Sequence, residues 1–155
     1  PGYTQRPTGR EMRAMAHLAM VGGDMGMSWW APLIDLVDEA YINLLDQMRE
    51  FSWIGPVYWQ ASPSDPSEAT WEGGPHRFLM NRQPKLFLTE RETNEARYLI
   101  AVNVDTVPLI ATFTVPGLQA GDVVQVLFED RAMTATSNQF TDEFAGPQAH
   151  VYRFP

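Results

Sequence analysis

Hydrophobic positions along this chain change their period twice. From Pro1 to about Ser52 they recur at helical spacing, from about Trp53 to Pro75 no period holds, and from His76 to Pro155 they alternate. In the first zone Met12, Met15, Ala16, Ala19 and Met20 fall at i, i+3, i+4, i+7 and i+8, a broad apolar stripe on one helix. Thr8 and Glu11 stand in the T-x-x-E spacing of a capping box, where hydroxyl and carboxylate satisfy the first amides of a helix. Arg10, Arg13 and His17 mark its wetter side, and the pair Gly22-Gly23 ends it. Met25 to Trp30 (MGMSWW) is apolar, too short for a stable helix and bounded by turn formers, so it reads as a buried strand. A second helix is predicted from about Pro32 to Arg49. Its buried face is Leu33, Val37, Ala40, Tyr41, Leu44 and Met48, with Asp35, Asp38, Glu39 and Asp46 opposite.

Residues 62–75 (SPSDPSEATWEGGP) hold mostly turn formers and read as a linker or long loop. Strands are then predicted at Leu86–Glu90, Arg97–Val104, Leu109–Val115, Val123–Glu129, Ala132–Thr136 and Ala149–Phe154. Leu109, Ala111, Phe113 and Val115 share one face of the third. Short strands separated by turn chemistry every eight to twelve residues describe an antiparallel β-sandwich. The expected fold class is therefore α+β: a helix–strand–helix segment over 1–61, a linker over 62–75 and a C-terminal antiparallel β-sandwich over 76–155.

Composition narrows the chemistry. Nineteen acids against eleven bases give a net charge of −8, the wrong sign for a nucleic-acid or anionic-membrane partner. The absence of cysteine excludes disulfides, thiolate metal sites and cysteine nucleophiles. No apolar run is long enough to cross a bilayer, and the first residues do not read as a signal peptide, so localisation stays open. His17, His76 and His150 share no ligand spacing with acids, and no phosphate loop or G-x-S-x-G elbow is present, so neither a metal nor a cofactor is expected. Five Trp residues are the unusual count, because Trp serves either as core or as a flat platform for a ligand.

The order of these motifs carries a resemblance. Arg6-Pro7-Thr8-Gly9-Arg10-Glu11, the helix after it and Gly26-Met27-Ser28-Trp29-Trp30 resemble the end of a (β/α)8-barrel glycoside hydrolase. Tyr98–Asn103 (YLIAVN), Val126–Arg131 (VLFEDR), Phe140–Phe144 (FTDEF) and His150–Arg153 (HVYR) are similar to the small β-sandwich that follows the barrel in β-galactosidase-like enzymes. The resemblance implies that 1–61 is a barrel remnant. It also implies that the two catalytic carboxylates, carried on the fourth and seventh barrel strands, precede Pro1. No catalytic residue is assigned within the chain.

The expected function is then that of a structural or accessory C-terminal part of a glycoside-hydrolase-like protein, without catalysis alone. Its partners are a carbohydrate in weak contact, together with the missing N-terminal barrel part or a second copy of the chain. Trp29 and Trp30 are the substrate-binding candidates, since the end of a barrel strand opens on the active-site mouth. Alternation lets only one of them face a ligand, and burial in the core is the plainer reading for both. Trp53, Tyr58, Trp59 and Trp71 read as packing between layers before they read as a saccharide surface. Asp24 sits just before the strand and Asp35 and Asp38 in the helix after it, acids that read as dipole and solubility features before an acid–base pair such as Asp24 with Asp35. Glu129, Asp130 and Asp142 read as solvated turn residues. Two alternatives stay open: a stand-alone carbohydrate- or protein-binding module, and a small glycosidase using acids of this chain.

Overall fold

The first helix starts where its capping residues place it. In the computed structural model, which describes residues 7–23, 39–73 and 85–155, α1 runs over Gly9–Val21. The Glu11 amide donates to Thr8 Oγ1 (3.2 Å) and the Thr8 amide donates to Glu11 Oε2 (2.7 Å), so both arms of the capping box are formed. The Thr8 bonds hold the Glu11 carboxyl below its usual range. Gly23 closes the helix at φ 94°, a left-handed conformation that favours glycine. Removing the cap hydroxyl with Thr8→Ala is expected to lower stability by about 1 kcal/mol, read as a shift in the urea midpoint at constant slope.

Helix α2 is described over Glu39–Tyr58, which corrects two expectations. The helix continues past Arg49 through Trp53–Tyr58, a stretch that shows no clear period. Pro56 sits in its last turn with no N–H to give the Ser52 carbonyl, a bond lost on the exposed side of the helix, and burial of Ile54, Val57 and Tyr58 holds that turn on the sheet. The buried face also differs. Gln47, Glu50, Ile54, Val57 and Tyr58 are buried, whereas Met48 is 60% exposed and Tyr41 and Leu44 are only half-buried. Met25–Trp30, including Trp29 and Trp30, lies outside the described residues, as do Leu33, Val37, Asp24, Asp35, Asp38 and His76.

Eight strands follow: β1 Glu68–Gly73, β2 Leu86–Glu92, β3 Arg97–Asn103, β4 Leu109–Thr114, β5 Val123–Val126, β6 Arg131–Thr134, β7 Gln139–Phe144 and β8 Gln148–Phe154. They form two antiparallel sheets, one in the order β1-β4-β7 and one in the order β2-β3-β8-β5-β6. β1 therefore lies inside the stretch expected as a linker. Its Thr70 and Trp71 pair with Thr112 and Ala111 of β4, so strand pairing overrides the turn-forming composition. Asp142 is likewise in β7 and buried rather than in a solvated turn.

Burial follows the two-residue period of the strands. Leu99, Ala101, Ala111, Phe113, Phe140, Phe144, Tyr152 and Phe154 fill the space between the sheets. Tyr98, Ile100 and Val151 face the other way, against Met20, Ile54, Val57 and Tyr58 of the helices. Val102 and Ala149 meet Ala14 of α1 in the same layer. The five-stranded sheet is thus covered on both faces, by helices and by the three-stranded sheet. The helices approach closely at Gly9, where an added Cβ would stand 2.7 Å from Asn43 Oδ1. No described helix is long and apolar enough to cross a membrane.

Candidate functional site

Charged side chains converge where the helices meet β8 and the turn between β5 and β6. Arg13 leaves α1 toward the sheet and donates through Nε to both Glu50 oxygens, at 3.0 and 2.8 Å. Its Nη1 donates to Glu129 Oε1 (3.0 Å) and to the Ala149 carbonyl (2.5 Å). One guanidinium thereby ties α1, α2, the β5–β6 turn and β8 together.

His17 lies one helical turn after Arg13 and is fully buried, against its expected place on the wetter side. Tyr58 donates its hydroxyl proton to His17 Nδ1 (2.6 Å), and His17 Nε2 donates to Glu50 Oε1 (2.7 Å), the arrangement of a neutral ring between a phenol and a carboxylate. Burial pushes the His17 pKa down, and the two Glu50 interactions only partly oppose it. Burial also pushes the Glu50 carboxyl up. The hydrogen bonds from His17 and Arg13, with the Arg13 charge, more than offset that, and the net direction is down. Burial raises the Tyr58 phenol, which stays a donor.

A second group continues from Glu129. His150 Nδ1 lies 2.6 Å from Glu129 Oε1, and Arg131 Nε donates to Glu129 Oε2 at 3.0 Å. Arg131 also grips Asp142 with two parallel bonds, 2.9 Å to Oδ1 and 2.7 Å to Oδ2, a fork-to-fork pair. Tyr152 donates to Asp142 Oδ2 from inside the sandwich (2.9 Å). Burial would raise the Glu129 carboxyl, but His150, Arg13 and Arg131 bring it down to about 2. The Asp142 pair raises the Arg131 guanidinium above its usual range.

This second group opens on a cleft of about 810 Å³ at one end of the sandwich. Glu129, Arg131, Asp142 and His150 line it together with Ile110 and Phe144. On the outer face of the three-stranded sheet Glu72, Ile110 and Glu143 stand side by side across β1, β4 and β7 and also border it. The chemistry of the cleft is limited by its pairing. A glycosidase acid must hold a proton near neutral pH, through a raised pKa, opposite a second carboxylate. Glu129 is driven the opposite way, and both Asp142 oxygens are committed to Arg131. Among the described residues no group of three or more His, Asp or Glu is placed to hold a metal ion.

Of the aromatic residues singled out in the sequence, Tyr58 is buried at the helix–sheet interface, while Trp53, Trp59 and Trp71 are exposed. They do not gather into one surface. Trp53 meets Tyr98 and Phe128 at ring-centroid distances of 6.4 and 5.5 Å. The sequence pattern puts Arg13 on the wetter side of its helix and does not single out Glu50 or Phe128. The i, i+4 spacing of Arg13 and His17 was the available signal, because two polar groups on one side of an otherwise apolar helix also describe a buried pair. Comparison with family models, with curated proteins and with solved structures finds no match.

Proposed function

We propose that this chain is the accessory C-terminal part of a glycoside-hydrolase-like protein, with the helices acting as the junction between a barrel and a sandwich and with no catalysis of its own. The observation that carries the reading is the two-sidedness of α2. One side is buried, Gln47 and Glu50 against α1 and Ile54 and Val57 against the sandwich. The side that hydropathy nominates as core, Tyr41, Leu44 and Met48, points elsewhere and stays partly or largely in water. A helix with one face on its own sheet and a second apolar face turned outward suits a position between two bodies. The locked state of Glu129 and Asp142 supports the absence of catalysis, and it weighs against a small glycosidase built from acids of this chain. Trp29 or Trp30 would supply the weak sugar contact at the barrel mouth.

Two measurements test the reading. The chain alone, incubated with a panel of aryl-glycosides, is expected to give no turnover above the enzyme-free rate; turnover abolished by Glu129→Gln or Asp142→Asn overturns it. In sedimentation at sub-millimolar concentration the chain is expected to self-associate through the outward face of α2. The substitution Met48→Asp, at a position 60% exposed on that face, should suppress this without lowering the unfolding midpoint. A wild-type chain that stays monomeric and binds no hydrophobic dye counts against a barrel-facing surface.

A further inference from the structure

The turn between β5 and β6 carries a feature that its structural work does not require. Phe128 sits at φ 66°, in the left-handed region where a bulky side chain is a genuine outlier. Its ring is nonetheless 46% exposed. The strain therefore does not bring Phe128 into the core. Glycine at this position would let the turn deliver Glu129 to Arg13 with the same backbone and no penalty. What the Phe128 ring meets is the edge of Trp53, 5.5 Å away at an interplanar angle of 83°. Trp53 is itself 51% exposed and rests on Tyr98, which is buried. Two half-exposed aromatic rings thus stand at right angles to each other over a buried tyrosine.

Beside them, residues 125–132 shape an open concavity of about 800 Å³ with Phe128 on its lining. Gln125 and Asp130 are exposed polar side chains of that lining, one an amide and one a carboxylate. We infer that the Trp53–Phe128 corner is a surface binding site for a neutral pyranose unit of an oligosaccharide. A pyranose offers an apolar C–H face to a ring and hydroxyls that both donate and accept, which suits an aromatic wall flanked by an amide and a carboxylate. The exposed Asp130 carboxylate and the net charge of −8 oppose an anionic ligand. The site is independent of the barrel reading: Trp53 lies about a third of a turn around α2 from Tyr41 and does not share the outward apolar face.

The test uses the full chain and two defined probes, cellohexaose and a β-1,4-linked galactohexaose, followed by calorimetric titration and ligand-observed NMR. At least one probe is expected to bind saturably with a Kd on the order of 1 mM, as a few contacts allow. Trp53→Ala and Phe128→Gly should each weaken it by about tenfold or more. Phe128→Gly should leave the unfolding midpoint no lower than wild type, because it relieves strain while removing the ring. The proposal is overturned by no heat and no saturation transfer with either probe, by binding that Trp53→Ala leaves unchanged, or by a Phe128→Gly midpoint well below wild type, which would make the ring structural. Self-association abolished by Trp53→Ala with no binding of either sugar would assign the corner to a protein contact instead, and overturn it equally.

Discussion

Glu50→Leu is expected to destabilise the chain by about 3–5 kcal/mol, the range observed when one partner of a buried ion pair is removed. Glu50 is the carboxylate on which two α1 groups converge: Arg13 at 2.8 Å and His17 at 2.7 Å. Its loss leaves Arg13 Nε without a partner, with Glu129 the carboxylate still paired to that guanidinium, and leaves His17 Nε2 without an acceptor. An isolated surface pair would contribute only up to about 1 kcal/mol, so the size of the effect separates a buried anchor from a solvated one. The double substitution Arg13→Met/Glu50→Leu should recover part of the loss, since a buried pair replaced by apolar groups is often neutral. Glu129 keeps Arg131 and His150 in that variant. Urea unfolding followed by circular dichroism measures all three proteins. A single-mutant loss below about 1 kcal/mol would mean that the apolar contacts of Ile54, Val57 and Tyr58 hold the helices without this network.

How far the sequence reveals this molecule depends on whether pattern and environment agree at each residue. They agree at Thr8 and Glu11, where the cap is local chemistry, and at Leu109, Ala111 and Phe113, where alternation reads directly as an inner face. They disagree where a charge is buried. β7 places Phe140, Asp142 and Phe144 on the inner side, and the middle residue looks like a turn until Arg131 and Tyr152 are seen to satisfy it. The same reason hides the inner face of α2. Gln47 and Glu50 are polar, so hydropathy selects Tyr41, Leu44 and Met48, and only long-range partners such as Arg13 reveal which side meets the sheet. Pairings across 37 and 116 positions, as between Arg13 and its two carboxylates, have no local signature in the chain. The α+β architecture of the described residues, two helices and two antiparallel sheets, was legible, while its ionic joint was not.

That joint makes stability depend on acid in two stages. The pKa of His17 is lowered in the folded chain, so below the ordinary histidine value, about 6.5, the unfolded chain takes up a proton that the folded chain refuses. Stability then falls with decreasing pH at up to about 1.4 kcal/mol per unit for that one group. The second stage has the same sign from the opposite cause. Glu129 titrates at about 2 when folded against 4.5 ordinarily, so its contribution is complete above 4.5 and disappears as the pH falls toward 2. Glu50, also lowered, adds to that lower window. The expected record is a urea midpoint steady down to about pH 7, sloping below 6.5 and sloping again below 4.5. His17→Gln should flatten the upper slope relative to wild type and keep the lower one, and Glu129→Gln should weaken the lower one. If His17→Gln and wild type run parallel between pH 7.5 and pH 5, folding does not shift the His17 pKa and the buried neutral ring is refuted. A wild type that instead gains stability over His17→Gln as the pH falls through this range would show a ring charged in the folded chain, with His17 and Arg13 both drawing on Glu50.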